Sequence, residues 1–379
     1  MSINFNEDIK RFNTSCYKWD QYGEDYIPLW VADMDFKSPD TIIKALNNRI
    51  EHGIFGYTKP DKELVETIVE HFKREYNTEI KESWIVWLPS IVPTINVVCQ
   101  MIEGSVMINT PVYPNIRKAP VNVNREVIEV PLKREQGKYT FDFEEMEKSI
   151  REDTKLFILC NPHNPVGRVF SKEELEDLAE FCERHELILC SDEIHCQLIF
   201  EGKHIPLVSL GDKVSQGITL MSPGKTYNLP GIPIAFGVIP NTELRKKFLR
   251  ASEGLLPHPG VLNYVVCKEA YKNGEPWRKE LLEYLKGNLE FLECEFKSRL
   301  PELKLTPVEG TYLLWIDFRE TGIKDPYKFL YKKAKVILSD GKDFGEEGFL
   351  RLNFGCRRDT LVRALDRIEK ALRENEKNS

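Results

Sequence analysis

The nine cysteines include no C-x-x-C pair, and the seven histidines show no H-x-x-x-H spacing. These absences argue against the usual zinc sites. The odd, scattered cysteine set also argues against a disulfide frame. Cys99, Cys160, Cys182 and Cys190 sit inside apolar runs, as reduced thiols in an intracellular core do. No apolar run approaches the roughly 18 residues of a membrane-spanning helix. The opening stretch MSINFNEDIKRFNTSCYKWD lacks the apolar centre of a secretory leader, so a cytoplasmic location with no membrane partner is expected. Basic charge is not in excess: 53 Lys and Arg stand against 60 Asp and Glu, a net charge of −7. That balance argues against nucleic acid as a partner. No G-x-G-x-x-G follows a strand-like run, which disfavours a dinucleotide dehydrogenase. Repeats and low-complexity tracts are also missing.

What remains is a soluble composition, 41% hydrophobic and 30% charged over 379 residues. This length allows two or three domains, or one large α/β unit with a smaller partner. SPDTIIKALNNRIEHG reads as a helix with Ser38 as N-cap, Pro39 at its first position and Gly53 past its end. DKELVETIVEHFKREY repeats apolar residues at helical spacing. Beyond it, short apolar runs (SVMIN, KLFILC, LILC, ITLM) alternate with amphipathic stretches. In SKEELEDLAEFCERHE, Ser171 and Glu174 form a capping box. The alternation predicts a mostly parallel sheet covered by helices on both faces. The tail differs. A long helix over WRKELLEYLKGNLEFLECEFKSRL, strands at TYLLWIDF and GFLRLNF, and a closing helix at DTLVRALDRIEKALRE predict a smaller α+β domain. The expected division is residues 1–45 as a segment packing with the small domain, 46–265 as the large domain and 266–379 as the small one.

Ligands of open α/β sheets sit outside the carboxyl ends of the strands. KLFILC is followed by NPHNPVGR, LILC by SDEIH, and ITLM by SPGK. Three strand ends would thus present an amide (Asn164), a carboxylate (Asp192) and an amine (Lys225). Singly, each has an ordinary alternative: a turn, a helix cap, a solvated loop lysine. Together they suit pyridoxal phosphate, which needs a lysine for its aldehyde, a carboxylate for its ring nitrogen, a donor near its ring oxygen and an anion site. In LPSIVPTINVV, Ser90, Ile91 and Val92 open a helix whose amides could hold the phosphate, and Ser222 could add a hydroxyl.

LWVADMDF, HGIFGYT, TPVY, LCNPHNPVGRV, SDEIH, SPGKTYNLPG, PVEGTYLLWIDF and LRLNFGC span nearly the whole chain. With them the sequence resembles a fold-type-I pyridoxal-phosphate enzyme of the class I/II aminotransferase superfamily. It is most similar there to the cystathionine β-lyase (MalY/PatB-type C–S lyase) subgroup. The resemblance implies a PLP-dependent transferase-like fold, with a mostly parallel seven-stranded sheet in the large domain. It implies that Lys225 carries the cofactor, Asp192 pairs its ring nitrogen, Asn164 bonds its ring oxygen and Tyr113 covers the ring. Arg351 would grip the substrate α-carboxylate, with Asn164 beside it. Tyr57 would reach the phosphate of a neighbouring subunit, so a homodimer with shared active sites is implied. His195 stands where many aminotransferases have tyrosine, which favours a lyase acting on cystathionine or cysteine S-conjugates. An aminotransferase is the alternative, and a non-catalytic regulatory protein a more distant one. Three departures from the family stand out. Pro233 replaces an arginine eight residues after the lysine, Ser90 replaces a glycine, and MIEGSVMIN is about two residues shorter than the usual turn.

Overall fold

The computed structural model describes residues 3–378. Its main sheet has seven strands in the spatial order Ile85–Leu88, Ala235–Val238, Gly217–Met221, Ile188–Asp192, Thr154–Cys160, Ser105–Thr110, Val127–Pro131. Ala235–Val238 runs antiparallel to both neighbours, and the five strands beyond it pair in parallel. The sheet is therefore mostly parallel, as the alternation of apolar and amphipathic stretches predicts. Successive side chains point to opposite faces. Along Thr154–Cys160, Leu156, Ile158 and Cys160 join the core that includes Ile91, Ile95 and Val98 of the helix Ile91–Gln100. Phe157 and Leu159 join the opposite core, with Leu175, Leu178 and Phe181 of the helix Lys172–Arg184. That second helix begins with the capping box read from the sequence, Ser171 with Glu174.

The helix after Ser38 starts later than expected, at Asp40, with Pro39 as its cap residue. The Ser38 hydroxyl is committed elsewhere: it donates to the Asn228 carbonyl at 3.0 Å.

A second, antiparallel sheet has the order Lys304–Leu305, Leu313–Asp317, Phe349–Asn353, Ser339–Asp340. The helix Glu275–Arg299 buries Leu281, Leu285, Leu289, Leu292 and Phe296, one stripe at helical spacing, in the same core as Leu361, Leu365, Ile368 and Leu372 of Arg358–Asn378. The N-terminal segment joins this part of the molecule, with Ile27–Pro28 pairing in parallel with Val336–Ile337. The expected domain boundary at 265/266 falls inside the helix Val261–Asn273. No helix among the described residues is long and apolar enough to cross a membrane.

Candidate active site

Register brings the three strand ends together. Cys160 lies opposite Asp192, and Asp192 opposite Leu220. The turns that follow therefore open into one cavity of about 1020 Å³ between the two sheets. Ser90, Ile91, Val92, Tyr113, Asn164, Asp192, His195, Ser222, Lys225 and Arg351 all line it. Tyr57 does not. Its side chain is fully exposed on a loop, beside the exposed Ile54 and Phe55.

Lys225 follows the turn after Gly217–Met221. Its amine donates to the Ala32 carbonyl at 2.6 Å. Burial and the positive field of Arg351 lower its pKa to about 8, against the opposing pull of Asp33 and Asp192. Asp192 ends its strand and is buried. Its Oδ1 accepts from the Ile194 amide at 3.1 Å. Burial pushes its pKa up to about 7, although that amide bond and Lys225 favour the ionised form. No ion pair engages either Lys225 or Asp192 among the described residues.

Asn164 sits on a loop that Arg168 anchors by ion pairs to Glu174 and Glu309, at 2.6 and 2.8 Å. Gly167 is required there. Its φ is +71°, and a Cβ would stand 3.2 Å from Val308 Cα. The Asn164 Oδ1 accepts from Arg351 Nη1 at 3.0 Å. Arg351 Nη2 donates to the Trp30 carbonyl and to Ser339 Oγ, at 2.7 and 3.1 Å. Phe344 lies 4.9 Å below the guanidinium. Arg351 Nε has no partner among the described residues, and burial lowers its pKa to about 10. A buried guanidinium with a free donor and no carboxylate is a receptor for an anion.

The Tyr113 hydroxyl accepts from Asn115 at 2.7 Å, and burial keeps the phenol protonated. His195 is buried beside Tyr312, with its Nδ1 unpartnered among the described residues. Burial and the nearby Lys225 and Arg351 hold it neutral. The Ser222 hydroxyl donates to the Ile234 carbonyl at 2.6 Å and accepts from the Gly224 amide, so its one proton is already committed. Ser90 caps the helix Ile91–Gln100 without a side-chain bond, which leaves the first amides of that helix free to meet an anion. This set fits pyridoxal phosphate: an amine, a carboxylate with no cation bonded to it and a helix terminus line one cavity.

Sequence reading missed the backbone of Trp30–Ala32 as a wall of this cavity. LWVADMDF marked the segment, but no periodicity says where a carbonyl points.

Asp192 gives a test of this electrostatic picture. Its folded pKa is raised, so between pH 3.8 and about 7 the unfolded chain has lost a proton that the folded one keeps. The contribution of Asp192 to the stability of cofactor-free protein should fall as pH rises through that window, against the rising contributions of the buried, neutral His71, His163 and His195. Asp192→Asn should remove that contribution, so the variant should gain stability relative to wild type between pH 4.5 and 8, by up to about 4 kcal/mol. Denaturant titrations at pH 4.5 and 8 measure this, and parallel curves for the two proteins would contradict it.

The family model Aminotransferase class I and II matches residues 24–368. Cystathionine beta-lyase PatB of Bacillus subtilis (strain 168) is 36% identical, over 98% of this chain and all of that protein. A solved structure of OvoB is 39% identical with a TM-score of 0.94, covering 97% of this chain and 99% of that one. The PLP-bound C–S lyase from Staphylococcus hominis is 31% identical with a TM-score of 0.92, covering 98% of each chain.

Proposed function

The chain belongs to the aminotransferase class I and II family, and from that premise we propose that it is a pyridoxal-phosphate-dependent carbon–sulfur β-lyase. Its substrates would be cystathionine or related cysteine S-conjugates, and its products pyruvate, ammonia and a thiol. The names of full-length relatives support this reading. One observation carries its dependence on the cofactor and an amino-acid substrate. A single cavity holds Lys225 and Asp192 without ion pairs and Arg351 without a counter-ion, the charges that a cofactor and an amino acid would complete.

Lys225 would hold the cofactor covalently, and Asp192 would face its ring nitrogen. Asn164 and Tyr113 would border the ring, and the Ser90, Ile91 and Val92 amides the phosphate. Pro233 contributes no charge where the family's arginine stands, so the helix terminus has more of the phosphate charge to meet. When bound, the cofactor supplies an electron sink that acidifies the substrate α-hydrogen. Arg351, with Asn164, fixes the substrate carboxylate and so orients that hydrogen. The Lys225 amine, with its lowered pKa, takes the proton near neutral pH. The sulfur substituent then leaves the β-carbon with its bonding pair and takes up a proton as thiol, and water hydrolyses the released three-carbon product to pyruvate and ammonia. An aminotransferase would use the same residues and differ in its need for a keto-acid acceptor. Purified protein should be yellow, borohydride should bleach the colour, and cystathionine should yield thiol and pyruvate in equal amounts. Colourless protein that gains no visible band with added cofactor would contradict the reading.

A homodimer is part of the proposal. Ile54, Phe55 and Tyr57 are 65%, 56% and 113% exposed on one loop of the single chain, as residues awaiting a second copy would be. Sedimentation at micromolar concentration should give twice the chain mass. A fully active monomer would contradict this. All nine cysteines are free, which supports a reducing compartment such as the cytoplasm.

A further inference from the structure

Residues 30–36 run past the cavity as a strap, with Trp30, Val31 and Ala32 lining it, and side chains from the second sheet and from the loop after Gly217–Met221 hold its backbone. On the strand Phe349–Asn353, Arg351 donates to the Trp30 carbonyl at 2.7 Å. Two residues on, Asn353 donates to the Val31 and Asp33 carbonyls at 2.5 and 2.6 Å. From the other side comes Asn228, three residues after Lys225. It accepts from the Met34 amide at 3.0 Å and donates to the Met34 and Phe36 carbonyls at 2.9 and 2.8 Å. Inside the first of these holds, between Val31 and Asp33, and two residues before the second, the Ala32 carbonyl receives both the Lys225 amine, at 2.6 Å, and the Tyr312 hydroxyl, at 2.8 Å.

Both amide hydrogens of Asn228 and its oxygen are spent on the strap, and none reaches the cavity. Its backbone lies in the left-handed region at φ 54°, which asparagine and glycine tolerate and most residues do not. Conformation and side chain thus serve the same end.

We propose that Asn228, with Asn353 opposite, is a positioning residue for Lys225: it fixes the strap so that the Ala32 carbonyl holds the amine in its working place. The proposal rests on Lys225 being the reactive amine. An amine released from a cofactor keeps its lone pair aimed at one hydrogen only if something holds the nitrogen, and small displacements of a reacting group cost large factors in rate.

Asn228→Gly tests this, because glycine keeps the left-handed backbone while removing all three side-chain bonds. Three readouts apply. Amide hydrogen exchange across residues 30–36 should quicken. The high-pH plateau rate at which cofactor-free protein attaches pyridoxal phosphate covalently, fixed with borohydride, should fall about tenfold. In the loaded enzyme kcat should fall by a similar factor, with KM changed less than about threefold. Asn228→Asp keeps the Met34 amide bond and should lie between wild type and Asn228→Gly; it serves if the glycine variant does not fold. Unchanged exchange across the strap overturns the proposal. So does faster exchange with attachment rate and kcat within about twofold of wild type. Exchange and attachment need no lyase substrate, so a protein that failed to eliminate thiol would still report on Asn228.

Discussion

Lys225→Ala protein should release no pyruvate above background, a loss of about 10⁴-fold or more, because anchor and base vanish together. Borohydride reduction followed by denaturation should leave it without bound cofactor, whereas wild type keeps one equivalent per chain. The pH dependence of attachment in wild type follows from the lowered pKa. Only the neutral amine attacks an aldehyde. The attachment rate should therefore rise with pH, bend near 8 and level off, where an ordinary lysine would keep rising towards 10.5. Burial and Arg351 are the causes of that bend, so Arg351→Ala should move it upward. A variant that still fixes cofactor covalently would show that another lysine is the anchor.

Arg351→Ala is the second large effect. The guanidinium is buried at 5% exposure, has no carboxylate partner among the described residues, and is aimed by Trp30, Ser339 and Asn164. A substrate carboxylate would complete it. Removing one partner of such a desolvated pair costs about 2–5 kcal/mol, which should appear as a fall in kcat/KM with the cofactor still attached. Arg351→Lys should recover little, because an ammonium cannot reproduce the planar fork that bonds a carboxylate and Asn164 together. Steady-state kinetics beside the visible spectrum separate lost substrate binding from lost cofactor. Unchanged kcat/KM would move the carboxylate site elsewhere in the cavity.

How far the sequence could be read depended on how locally each feature is encoded. Asn164, Asp192 and Lys225 were legible because each follows within a few residues of a short apolar run, and parallel pairing aligns the ends of such runs. The strands Ile85–Leu88 and Ala235–Val238 were not read. IVWL is separated only by Pro89 and Ser90 from the apolar helix that follows, and AFGV contains Gly237, so neither stands out as a strand. Val127–Pro131 lies at the sheet edge with alternate residues exposed, so its apolar signal is diluted. Arg351 came from motif likeness, since an arginine on a strand is more often a surface ion pair. Nothing local marked Asn228, whose partners lie 192 and 194 residues away. The same holds for the Ala32 carbonyl, a backbone atom without a sequence signature. Tyr57 is exposed and outside the cavity of its own chain, so a single chain gives it no partner to report.

The central claim is elimination at carbon–sulfur bonds, and turnover without a keto acid tests it most directly. Elimination leaves the cofactor ready for the next substrate, while transamination stops after one half-reaction until an acceptor restores it. Incubated with cystathionine and no keto acid, the protein should release pyruvate continuously, many equivalents per active site. A single equivalent of product, with further turnover only after 2-oxoglutarate is added, would contradict the account and make the protein an aminotransferase.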